Sequence, residues 1–67
     1  MEVFYKRLKE ARKKAGYTQE KVAEILGINQ STCTGYETGY RKPSIDILMK
    51  LADLYNVSID WLVGRDK

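Results

Sequence analysis

Gln30, Ser31 and Thr34 fall at helical spacing in a stretch that makes a poor helix, Asn29-Gln30-Ser31-Thr32-Cys33-Thr34-Gly35. An exposed helix with no task favours Ala, Glu or Lys. One built from an amide and hydroxyls instead offers donors and acceptors side by side, which is equipment for hydrogen bonding to a partner. Two cations, Arg41 and Lys42, form an isolated pair a few residues on. Six of the twelve basic residues (Lys6, Arg7, Lys9, Arg12, Lys13, Lys14) lie in the first fourteen positions. The net charge of +3 and sequence pI of about 9.1 fit a polyanionic partner, and equally fit solvated helix surface.

Other chemistries lack their residues. There is no histidine, and the single cysteine, Cys33, can make neither an intramolecular disulfide nor a zinc cluster, so no metal is expected. No glycine-rich phosphate loop and no paired carboxylates around a plausible pocket are present, so the expectation is a protein that is not an enzyme and takes no cofactor or small-molecule ligand. No apolar run is long enough to span a membrane, and the first ten residues are already charged at Lys6, Arg7 and Lys9, unlike a secretory leader. A cytoplasmic protein is expected.

The elements that must position these residues are helices. With 67 residues there is room for one domain, residues 1–67, which hides about 60% of the surface its unfolded chain would expose. Phe4, Leu8, Ala11 and Ala15 repeat at helical spacing before Gly16, and predict a first helix from about Glu2 to Ala15. Thr18 caps a second, carrying Val22, Ala23, Ile25 and Leu26 and stopping at Gly27. Asn29 is a good cap for a third, Gln30 to about Glu37. Ser44 starts a fourth with an apolar face of Ile45, Leu48, Leu51, Ala52 and Tyr55, closed by Asn56. Ser58 caps a short fifth through Ile59, Trp61, Leu62 and Val63, ended by Gly64.

The second and third helices are joined by only about three residues, Gly27, Ile28 and Asn29, which forces a steep crossing. Ala23 supplies the small residue such a contact needs, and Gly27 tolerates positive φ. Val22, Leu26, Ile28, Cys33 and Tyr36 form the inward face.

This segment resembles the helix-turn-helix of the lambda repressor and Cro-like proteins, the xenobiotic response element family. The likeness runs through Arg12, Gly16-Tyr17-Thr18-Gln19-Glu20, Leu26-Gly27-Ile28, Tyr36-Glu37-Thr38-Gly39, Arg41-Lys42-Pro43-Ser44 and Ile59-Asp60-Trp61-Leu62-Val63-Gly64. It implies an all-α, compact five-helix lambda-repressor-like domain with its motif at about 19–37 and a recognition helix at about 30–37. It also implies sequence-specific binding of double-stranded DNA by a prokaryotic or phage transcriptional repressor.

In such proteins the recognition helix lies in the major groove with its N-terminal residues at base edges. Gln30 would then meet an adenine edge through its amide, and Ser31 and Thr34 would contact bases through their hydroxyls. Gln19 matches a position that meets a phosphate and braces the first residue of the recognition helix. Arg41, Lys42 and the Tyr40 hydroxyl would touch the backbone, as would Arg12. Arg12 and Glu37 match positions that pair, joining the first helix to the end of the recognition helix.

The sequence also departs from that pattern. Gly35 stands where a long polar or basic side chain is frequent, so one base contact is expected to be missing. Cys33 replaces a branched aliphatic and reads as a small buried hydrophobe, with a reactive thiol as the alternative. Tyr40 replaces a lysine, weakening attraction to the backbone. Tyr55 and Trp61 are read as core or as contacts of a homodimer on inverted half-sites. An antitoxin working with a separate toxin protein, and an adaptor that binds protein and not DNA, stay open as alternatives. The Gly64-Arg65-Asp66-Lys67 end suits either a natural stop or a junction to a longer parent.

Overall fold

The computed structural model describes residues 2–65, with five helices in the order α1 (Glu2–Ala15), α2 (Gln19–Leu26), α3 (Gln30–Thr38), α4 (Ile45–Tyr55) and α5 (Ile59–Leu62). Met1, Asp66 and Lys67 lie outside the described residues. No strand occurs among the described residues.

Local chemistry sets most boundaries. The hydroxyls of Thr18, Ser44 and Ser58 accept from the amides of Lys21, Ile47 and Trp61 at 3.1, 3.3 and 3.0 Å, satisfying first-turn donors that have no partner inside their helices. Gly27 ends α2 at φ 69°, where the next amide, Ile28, reaches back to the Ala23 carbonyl at 3.0 Å. Asn56 ends α4 in the same left-handed conformation at φ 56°, tolerated there because asparagine is the side chain that most readily adopts it. Asn29 differs from expectation. It stands at the cap of α3, but its side chain makes no capping bond; the helix is anchored through its carbonyl, which accepts from Thr32 and Cys33 at 3.1 and 3.2 Å.

Phe4, Leu8 and Ala11 of α1 meet Val22 and Ala23 of α2, Cys33 and Tyr36 of α3, Leu51, Ala52 and Tyr55 of α4 and Leu62 of α5 in one core. α3 packs on both α1 and α2, while α1 also carries α4 and α5. Two residues expected on apolar faces, Ala15 and Ile45 (64%), are exposed, as is Ile25 (47%), an apolar residue of α2 outside the expected inward face. At about 100° per residue, Ile25 lies more than a quarter-turn from the centre of the stripe of Val22, Ala23 and Leu26, and Ile45 lies on the flank of the Leu51, Ala52 and Tyr55 stripe. Ala15 is in phase with Phe4, Leu8 and Ala11 but is the last residue of its helix.

Tyr55 is core. Trp61 is half-buried, with the Arg7 guanidinium 4.9 Å from its ring centroid and donating to its backbone carbonyl. No helix among the described residues is long and apolar enough to cross a membrane.

Candidate nucleic-acid interface

α3 has an inner and an outer side. Cys33, Tyr36 and Glu37 are buried, whereas Gln30, Ser31 and Thr38 are exposed and Thr34 is half-buried. The outer side therefore begins with an amide and a hydroxyl that no other described residue covers. The loop at 39–44 follows at its C-terminal end, where Tyr40 is 85% exposed and Arg41 and Lys42 are also exposed.

What holds α3 in place is polar. Arg12, from the last turn of α1, donates from Nε to Glu37 Oε2 at 2.7 Å and from Nη2 to Glu37 Oε1 at 3.3 Å. Its Nη1 donates to the Tyr17 carbonyl at 2.8 Å. Glu37 Oε1 also accepts from Gln19 Nε2 at 3.0 Å, and Gln19 Oε1 accepts from the Thr34 hydroxyl at 2.6 Å. A continuous chain thus runs from the loop carbonyl after α1, through Arg12, Glu37 and Gln19, to Thr34. Arg12 and Glu37 are each only 8% exposed, a depth at which ions need such multiple partners. The hydrogen bond to Glu37 raises the Arg12 guanidinium above its ordinary pKa, against the lowering effect of burial, so its charge is permanent.

Several expectations are altered by this geometry. Gln19 does not brace the first residue of α3, Gln30; it bonds the fifth and eighth, Thr34 and Glu37. Gln19 is the first residue of α2, and its amide is level with the middle and C-terminal half of the crossing helix, not with its start. Thr34 is turned toward α2, and its single hydroxyl proton is committed to Gln19, which leaves only acceptor capacity for anything else. Arg12 has three N–H groups engaged inside the protein. Gly35, expected as a gap, is covered by the aliphatic stem of Arg41, a contact that sequence reasoning missed.

Cys33 is buried, and burial pushes its thiol above the usual range, the state of an inert core residue and not of a reactive one. Among the described residues no group of His, Cys, Asp or Glu is placed to hold a metal ion.

The arrangement is that of a helix-turn-helix unit, α2 and α3, bolted to α1 by a buried ion pair. The family model described as "Helix-turn-helix" matches residues 8–62, and the chain belongs to this family, of the xenobiotic response element type. The chain is 56% identical to the HTH-type transcriptional regulator ImmR of Bacillus subtilis over 92% of its own length and 49% of the relative's. It is 49% identical to the HTH-type transcriptional regulator AnsR of Bacillus subtilis, over 91% of this chain and 53% of that one. Against the cryptic phage CTXphi transcriptional repressor RstR of Vibrio cholerae the identity is 39%, over 88% and 53%. The chain therefore spans about half the length of these relatives.

Proposed function

We propose that this chain binds double-stranded DNA in a sequence-specific way and acts as a transcriptional repressor in the cytoplasm, with α3 in the major groove. The observation that carries the reading is the outer side of α3. Its exposed Gln30 and Ser31 have no covering element, while Arg12, Glu37, Gln19 and Thr34 fix the helix from behind. Gln30 has the bidentate geometry that matches adenine, and Ser31 serves as a tolerant second contact. Lys42 and the Tyr40 hydroxyl meet phosphates. Those contacts set register and supply salt-dependent affinity without reading sequence.

In this reading Arg12 is a positioning residue, and Thr34 adds at most an accepted hydrogen bond. Gln19 meets a phosphate at the edge of the same network, beside the N-terminus of α2. Two copies on inverted half-sites, about 34 Å apart, form the repressing unit. Residues 1–67 supply the DNA-reading domain of that unit. Its relatives' names support regulation and, for RstR, repression.

Fluorescence anisotropy on a random-sequence duplex at two salt concentrations tests this reading. The native chain should bind and weaken steeply with salt, and Lys42→Ala should lower the log–log salt slope by about 1. Absence of binding even at low salt would reject DNA as the partner.

A further inference from the structure

The structure assigns to Arg41 a role that its place in a loop conceals: its guanidinium is routed across α3 to take the place of the side chain that Gly35 lacks, where it reads a guanine in the major groove. This rests on the DNA-binding reading above and deepens it.

The first observation is helical phase. At about 100° per residue, Gly35 lies roughly 40° from Ser31 and 60° from Thr38 on the outer side of α3, opposite Cys33, Tyr36 and Glu37. By phase Gly35 belongs to the solvent face, yet it is buried. What covers it is Arg41: a Cβ placed on Gly35 would lie 3.1, 3.2 and 3.3 Å from Arg41 Cγ, Cδ and Cβ. The stem of Arg41 therefore fills the position that a side chain at 35 would occupy, and any such side chain must displace it.

The second observation is how the stem is held. The Gly35 carbonyl accepts from the Arg41 amide at 3.2 Å, from the Gly39 amide at 3.0 Å and from the Thr38 hydroxyl at 3.3 Å. The turn after α3 is thus closed back onto the same residue that the Arg41 stem crosses. Backbone and side chain meet Gly35 together, so the route across the helix is built into the turn. A loop cation free to follow a phosphate would need neither contact.

The third observation is what is left over. Among the described residues the Arg41 guanidinium has no hydrogen-bond or ion-pair partner, and the residue is exposed beyond its covered stem. The stem that leads to the guanidinium lies over Gly35, one turn beyond Ser31, and the planar fork of donors matches O6 and N7 of guanine, the pair of acceptors that arginine binds in bidentate fashion. Glycine at 35 is then not a missing base contact. It is the clearance that lets a residue six positions later make it.

The test is selection from a randomised duplex library with the native chain, Arg41→Ala, Arg41→Lys and Gly35→Ala, each checked for a native thermal melt. Exposed Arg41 and helical Gly35 both tolerate these changes. The native chain should select a G·C pair at one position of each half-site. Both Arg41 variants should lose that preference and keep the others, with affinity for the native site falling on the order of tenfold. Gly35→Ala, which crowds the stem without touching the charge, should weaken preference at the same position alone. A uniform loss of affinity with every preference intact and a shallower salt slope would assign Arg41 to a phosphate and overturn the proposal. Enrichment of no sequence by the native chain would overturn the DNA-binding reading together with it.

Discussion

Glu37 and Arg12, twenty-five positions apart, are joined by a 2.7 Å charge-assisted hydrogen bond that ties the C-terminal half of α3 to the last turn of α1. The bond is more than a tether. Glu37 is also the acceptor for Gln19, so the ion pair orients an amide that in turn orients Thr34 on the outer half of α3. Stability and the set of the reading helix therefore share one network. Removal of a single buried charge leaves the other without a partner, whereas removal of both exchanges desolvation cost for apolar packing.

Glu37→Ala should accordingly destabilise the domain by about 3–5 kcal/mol, because Arg12 stays charged and buried. The double replacement Arg12→Met, Glu37→Leu should recover most of that loss in urea denaturation. It should still weaken binding to a selected operator, since Gln19 Nε2 loses its acceptor and α3 its anchor. A double variant that is stable and binds as tightly as the native chain would show that the pair does not position the helix.

Gly27 and Gly39 separate backbone strain from steric clash. Both adopt left-handed conformations, at φ 69° and 87°. Open space surrounds Gly27, but a Cβ on Gly39 would lie 2.5 Å from the Tyr5 ring. Gly27→Ala should cost about 1 kcal/mol, the usual penalty of that region for a side chain. Gly39→Ala should cost clearly more by the same thermal-melt comparison, and Tyr5→Ala should reduce the difference between the two. Equal costs would mean that the ring moves aside freely.

Tyr55 and Cys33 should make the fold sensitive to alkali. Burial raises both groups above their ordinary values near 10.0 and 9.0, with smaller contributions from Glu37 to both and from Cys33 to Tyr55, opposed by Arg12. As pH rises the unfolded chain ionises first, so the stability is present in full below those ordinary values and is lost as pH climbs past them. Among the described residues the buried Tyr55 hydroxyl also has no hydrogen-bond partner. Tyr55→Phe should thus be neutral to stabilising by about 1 kcal/mol at pH 7, and should make the loss above pH 10 shallower. A large destabilisation at neutral pH would point to a partner for that hydroxyl.

The parts of this molecule that were legible in sequence are those fixed by neighbours in the chain. Thr18, Ser44 and Ser58 cap helices because a hydroxyl reaches an amide three residues on, and the residues after α1, α2 and α4 stop them by local conformation. The Arg12–Glu37 pair was legible through family resemblance and not through spacing. Gln19 was placed near the motif, but its partners depend on where α2 and α3 cross, which no local pattern encodes. Ile45 reads as part of an apolar face yet is exposed, whereas Ile25, left off the inward face of α2, is exposed as its phase requires. Gly35 carried a readable signal, a glycine on the outer phase of a helix, yet only the three-dimensional turn at 39–41 reveals which side chain uses the space.

The most direct test is a titration of the 15N-labelled chain with a selected operator duplex, followed by amide chemical-shift changes. The largest shifts should fall on Gln30, Ser31, Gly35 and the 40–42 loop, with α4 from Asp46 to Met49 nearly unmoved. Shifts concentrated on α4, or on the outer face of α1 at Lys6, Lys9 and Lys13, with α3 silent, would contradict groove reading by α3.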